Sequence, residues 1–431
     1  MIWIRNTRLI DPATKTDEIC DLLIEDGKIA EISKEISAEK TEDVCIIDGT
    51  GMITAPGLID VHVHFRDPGL TYKEDILTGA AAAKRGGFTS VVCMANTVPA
   101  ADHEETIRYV AEKGKQTGIH IYQAGAVTSG MKGKERTNMP LLKSAGAPGF
   151  TDDGVPIMDE ALVREAMEEA VRLDVPLSFH EENPAYIQQS GINSGSVSAG
   201  LGLGGADRMA EISLVERDLS LALETGAAIN IQHISSAEAV DLVRRAKRAD
   251  VSGKRRENIH AEATPHHFTL NESAVIQKGT LAKMNPPLRS EEDRLAVIDG
   301  LKDGTIDLIA TDHAPHSTEE KSRAFTEAPS GIIGLETALS LAIMSLVRPG
   351  YLTMADVIKC MSWNPAKLYH FDAGCIQTGR PADVVIFDPD EKWVYEKSVS
   401  KSENSPFLGQ EMTGKVKYTI CGGIVVYQED K

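Results

Sequence analysis

The sequence predicts an α/β protein: a closed (β/α)8 barrel of the TIM type beside a small β-sandwich-like domain built from both termini. Three observations carry this reading. Eight apolar, strand-like runs follow one another between residues 58 and 311, helix-like stretches alternate with them, and the chain ends show strand character. Eight strand–helix units are the number that closes such a barrel, and its chemistry sits at the C-terminal ends of the strands. The expected division is residues 1–53 for the first part of the β-domain, 54–375 for the barrel and 376–431 for the rest of the β-domain.

The opening segment reads as short strands at Ile2–Asn6, Asp21–Glu25, Ile29–Ile32 and Cys45–Asp48, with turns at Asp26-Gly27 and Asp48-Gly49. Barrel strands are expected at Leu58–Phe65, Thr89–Met94, Ile119–Gly125, Gly149–Thr151, Val175–His180, Ala227–Gln232, Ile259–Ala263 and Ile306–Thr311. Apolar residues at three- and four-residue spacing predict helices over Met158–Leu173, Arg208–Glu224, Ala237–Ala249 and Glu291–Asp303. Further helices are expected at Gly334–Leu346, Met354–Met361 and Pro365–His370, then strands at Asp383–Phe387, Lys392–Tyr395, Tyr418–Ile420 and Ile424–Tyr427. Gly79 to Ala83 reads as a closely packing small-residue helix. The Gly-rich run Ser194–Gly205 reads as a mobile loop and lacks the context of a phosphate cradle.

A formal net charge of −19, spread without long blocks, argues against nucleic acid or an anionic membrane surface as partners. No apolar stretch is long enough to span a bilayer, and the N-terminus does not read as a signal peptide. Six cysteines without any CxxC pair suit reduced thiols in the cytoplasm.

The polar residues at the strand ends carry the chemistry. The first barrel strand ends in His62, His64 and Arg66; i and i+2 share a side of a strand, so the two imidazoles converge. Asn96, Asp152, Asp153, His180, His233, Asp312, His313 and His316 end later strands. Each histidine alone has an equally good structural reading. Together, imidazoles and carboxylates on one rim suit two metal ions with a shared ligand, zinc above all. His266 and His267 read as structural, and Glu319-Glu320 as part of a mobile loop over the site.

The motifs PGLIDVHVHFRDPG, MANTVP, SFHEEN, NIQHISS and IATDHAPH resemble the amidohydrolase superfamily, and within it the bacterial class I dihydroorotases. GFTDDGVPI, NPPLR, APSGIIGLET and GRPADVVIFDP extend the resemblance along nearly the whole chain. It implies zinc, one or two ions with two favoured. His62, His64 and Asp312 would hold one ion, His180 and His233 the other, with Asp153 bridging and Asp152 as the alternative bridge. Several superfamily relatives use a carboxylated lysine there, and Gly149 to Gly154 contains none.

The implied reaction is reversible hydrolysis of (S)-dihydroorotate to N-carbamoyl-L-aspartate by a metal-bound hydroxide, in de novo pyrimidine (UMP) synthesis. Asp312 would shuttle the proton. His64, Arg66, Asn96, Asn285, His316, Ser330 and Gly331 would bind the substrate; relatives carry Phe where this chain has Ser330. A homodimer is expected, and association with aspartate transcarbamoylase stays open. The rival readings are a hydantoinase- or allantoinase-type enzyme, and a non-catalytic scaffold of the transcarbamoylase.

Overall fold

The computed structural model describes residues 1–36, 44–248 and 257–429. Five strands precede the barrel: β1 (Ile2–Asp11), β2 (Thr16–Glu25), β3 (Lys28–Ser33), β4 (Cys45–Asp48) and β5 (Ile53–Pro56). The barrel strands are β6 (Leu58–Val63), β7 (Phe88–Cys93), β8 (His120–Gln123), β9 (Phe150–Thr151), β10 (Leu177–Phe179), β11 (Ile229–Ile231), β12 (Ile259–Ala263) and β13 (Leu308–Ile309). Three strands close the chain: β14 (Val384–Val394), β15 (Glu411–Cys421) and β16 (Ile424–Gln428).

Parallel ladders join β6 to β8 and β9 to β13. Single parallel bridges, Gly125 to Phe150 and Val63 to His313, close the ring at its two seams. All eight expected barrel strands are present. β9 and β13 keep only two ladder residues each. The terminal strands form one sheet in the order β16-β15-β14-β5-β1-β2-β3, with β4 also on β1. Its buried face carries Ile2, Ile4, Leu22, Ile24, Val384, Ile386 and Ile420, drawn from both chain ends.

Two departures from the sequence reading have local causes. The predicted strands Asp383–Phe387 and Lys392–Tyr395 are one strand, β14, whose register slips between Asp388 and Lys392. β5 escapes the pattern because Ile53, Thr54, Ala55 and Pro56 are all buried, leaving no alternation to read. The helix Ala237–Arg248 matches its expected start, and residue 249 lies outside the described residues. The run at residues 194–205 contains a short helix, Ser196–Gly200.

Helix Ile76–Arg85 shows why small residues were needed. A Cβ on Gly79 would stand 2.5 Å from the Phe65 ring, so glycine alone lets the helix seat against the end of β6. Among the described residues, no helix is long and apolar enough to cross a membrane. The six cysteines are free, and all but Cys45 are buried.

Candidate functional site

At the C-terminal rim of the barrel, Asp153 is the centre of a buried cluster. Its Oδ1 lies 3.3 Å from His62 Nε2, 3.5 Å from His180 Nδ1 and 3.8 Å from His233 Nε2. Its Oδ2 lies 3.3 Å from His64 Nε2. Asp312 Oδ1 stands 3.0 Å from His64 Nε2 and 3.4 Å from His62 Nε2. Two triads therefore share one carboxylate: His62, His64 and Asp153, and Asp153, His180 and His233, each with ligand atoms within 4.8 Å of one another. Asp152 turns away, its carboxylate accepting from the Val127 and Thr128 amides at 2.8 and 3.1 Å.

Outer hydrogen bonds aim the imidazoles. A carboxylate can only accept, so His62 Nδ1–H donates to Glu262 and Nε2 faces the cluster. His64 Nδ1 donates to Asn96 Oδ1 at 2.9 Å, and His180 Nε2 to Glu182 at 3.1 Å. Glu262 also takes the His233 amide at 3.2 Å and Asn230 Nδ2 at 2.8 Å. Asp60 braces the closing seam, accepting from the amides of His62 at 3.0 Å and Thr311 at 3.2 Å. Arg66, His233 and Asp312 all sit at positive φ, 59°, 34° and 48°. Backbone strain of this kind concentrates where a side chain must be aimed.

The donor set fits divalent metal. His62 Nε2 and Asp153 Oδ1 are buried without a hydrogen-bond partner. Orphans of this kind cost about 1–3 kcal/mol each, and a cation between them removes the penalty. The two groups also shift each other's protonation. Burial opposes charge on both His62 and Asp153. Even so, the Asp153, Glu262 and Asp312 carboxylates hold His62 well above the ordinary imidazole range, while His62 and His180 hold Asp153 well below the carboxylate range. Burial, then the neighbouring His180 and His62, pushes His233 well down. Metal ions would replace those protons.

Above the cluster opens a cavity of about 420 Å³, a volume suited to a small ligand. Of the residues expected to bind substrate, His64, Arg66, Asn96, Asn285, Ser330 and Gly331 line it, and Asp312 lines it beside them. His316 does not. It packs behind Arg66, with Nε2 3.5 Å from the guanidinium and Nδ1 3.3 Å from Lys73 Nζ. Burial, then Arg66 and Lys73, lowers its pKa to about 2, so it is neutral. Asn285 Oδ1 accepts from Ser330 at 2.9 Å and Ser190 at 3.3 Å. Gly331 has φ 138°, and a Cβ there would meet the Ala314 carbonyl oxygen at 2.8 Å.

Gln189, Ser190, Lys283 and Thr326 also line the cavity and were not singled out in the sequence. Lys283 Nζ donates to the carbonyls of Phe325 and Ala328 at 2.6 and 2.7 Å, and Lys321 Nζ to those of Pro329 and Gly331 at 3.0 and 3.1 Å. Two lysines thus pin the wall that carries Ser330. Glu320, expected on a mobile loop, is held by Lys73 at 2.9 Å and by the Tyr72 hydroxyl at 3.0 Å. His267 bonds Thr264 Oγ1 at 2.8 Å and the Pro286 carbonyl at 3.1 Å, which braces the segment bearing Asn285.

An amidohydrolase family model matches residues 53–426, and the chain belongs to that family. Its place within the family is among the bacterial dihydroorotases. It is 56% identical to a dihydroorotase of Clostridioides difficile over 99% of this chain and all of that one. It is 52% identical to a dihydroorotase of Clostridium acetobutylicum over the full length of both. Among solved structures, an L-hydantoinase (dihydropyrimidinase) from Arthrobacter aurescens superposes with a TM-score of 0.86 at 25% identity, covering 100% of this chain and 96% of that one.

Proposed function

We propose that the chain is a zinc-dependent dihydroorotase of the cytoplasm, catalysing the reversible hydrolysis of (S)-dihydroorotate to N-carbamoyl-L-aspartate. The observation that carries it is the Asp153 carboxylate shared by two histidine pairs beneath a small cavity walled by Arg66. His62, His64 and Asp312 would hold one ion and His180 and His233 the other, with the Asp153 carboxylate facing both sets. When bound, such ions supply an acidified water and a Lewis acid at the amide carbonyl.

The remaining work falls to the chain. Arg66 pairs with the substrate carboxylate, and its planar fork gives charge-assisted bonds. Burial lowers the Arg66 pKa, yet a guanidinium stays charged at neutral pH. Asn96 lies on the same wall and, through His64 Nδ1, also fixes the imidazole. His316 acts through Arg66 by holding its position. Asn285 and the backbone at Ser330 and Gly331 take the far side of the ring. Asp312 accepts the proton of the attacking water and returns it to the ring nitrogen as the C–N bond breaks. General acid–base help of this kind contributes roughly 10²- to 10⁴-fold.

A hydantoinase reading has the fold in its favour, but no lysine lies between Gly149 and Gly154, and an uncharged ring gives Arg66 nothing to pair with. Removal and return of metal tests the proposal. Chelation should abolish dihydroorotate turnover and added zinc restore it. Turnover that survives complete metal removal would refute it.

A further inference from the structure

We infer that His120, Asp383 and Cys421 form a second metal site, for a thiolate-accepting divalent ion of the zinc class, at the barrel end opposite the cavity. His120 opens β8, Asp383 immediately precedes β14, and Cys421 closes β15. Their ligand atoms all lie within 4.8 Å of one another. His120 Nε2 is 3.1 Å from Asp383 Oδ2, while Oδ1 accepts the Gly422 amide at 2.7 Å and so fixes the carboxylate. The Cys421 sulfur is buried, 3.8 Å from the Thr89 carbonyl oxygen.

Tetrahedral zinc, with nitrogen and oxygen at about 2.0–2.2 Å and sulfur at about 2.3 Å, sets its donors roughly 3.3–3.8 Å apart. The His120–Asp383 pair stands near that spacing, and the thiol, within 4.8 Å of both, completes the triad by turning inward. Water takes the fourth position, and the half-exposed His120 side chain gives the ion a path from solvent. Asp383 is only 5% exposed, and among the described residues its one cationic partner is this imidazole, charged only when protonated. Oδ1 is taken by the Gly422 amide, and a cation beside Oδ2 would pair the remaining buried charge. Imidazole, carboxylate and thiolate are the donors zinc prefers. The ion must displace the thiol proton, which burial and Asp383 hold firmly. Because the donors come from the barrel floor and the terminal sheet, the ion clips one to the other.

Cobalt(II) is the probe, titrated into metal-free full-length protein. The cavity cluster has only imidazole and carboxylate donors, so a near-ultraviolet thiolate-to-cobalt charge-transfer band reports this site alone. The wild type should develop the band and bind one more ion per chain than Cys421→Ser. His120→Asn, at a half-exposed position, should lose the band too. Both variants should keep dihydroorotate turnover, and zinc should raise their melting temperature less than the wild type's. No band at saturating cobalt, or a band that survives in either variant, overturns the inference. The outcome does not depend on what the cavity hydrolyses.

Discussion

Glu262 lies beneath the cluster and does not line the cavity above it, yet its replacement by glutamine should weaken metal binding. Its carboxylate receives His62 Nδ1–H, the His233 amide at 3.2 Å and Asn230 Nδ2 at 2.8 Å, all in full burial. One group thus sets the tautomer of one expected ligand and the backbone of a second. An amide keeps the shape but offers one oxygen and an NH2 to three donors. One donor must lose its acceptor, and His62 loses its charged partner. Loss of such an outer partner typically costs 10- to 100-fold in metal affinity, or about 1.4–2.7 kcal/mol. Competition against a chromophoric chelator, with kcat/KM at saturating zinc alongside, reads the effect directly. Glu262→Gln should shift the apparent zinc Kd by that factor while its far-ultraviolet circular dichroism matches the wild type. An unchanged Kd in a folded variant would refute the view that Glu262 aims His62.

Asp312→Asn should lower kcat by at least about 10²-fold while most of the metal remains bound; near-normal turnover would remove Asp312 as the proton carrier. Arg66→Lys, which keeps charge but loses the fork, should raise KM more than it lowers kcat, and an unchanged KM would take Arg66 out of the carboxylate site. The Lys321 amine predicts a pH effect on stability: burial, then Lys283, brings its pKa down to about 7, against about 10.4 in an unfolded chain. Between those values the unfolded state binds more protons, so stability rises with pH, by about 1.4 kcal/mol per unit. The wild-type urea midpoint should therefore gain on that of Lys321→Met between pH 7 and pH 9; parallel profiles would contradict this.

The barrel and most of the rim were legible because their signals are local. His62 and His64 sit two apart at the end of an apolar run, and both Nε2 atoms reach Asp153. The sequence favours Asp153 over Asp152 only through the resemblance, since either carboxylate follows β9. Only the fold shows Asp152 spent on the amides of Val127 and Thr128. Glu262 left a trace, a charge inside the apolar strand Ile259–Ala263, but its partners are 200 and 32 residues away for His62 and Asn230. Lys283 and Lys321 left none, because they act on backbone carbonyls of a loop without regular structure. His316 is the instructive case: its motif places it at the rim, and only the fold shows it packed against Lys73 and Arg66, behind the groups that line the cavity.

The substrate assignment is tested most directly by hydrolysis of dihydroorotate by the purified, zinc-loaded protein, with hydantoin, dihydrouracil and allantoin in parallel. Dihydroorotate should be turned over and the uncharged rings should not. Turnover of an uncharged ring in preference to dihydroorotate would contradict that assignment, and with it the role given to Arg66.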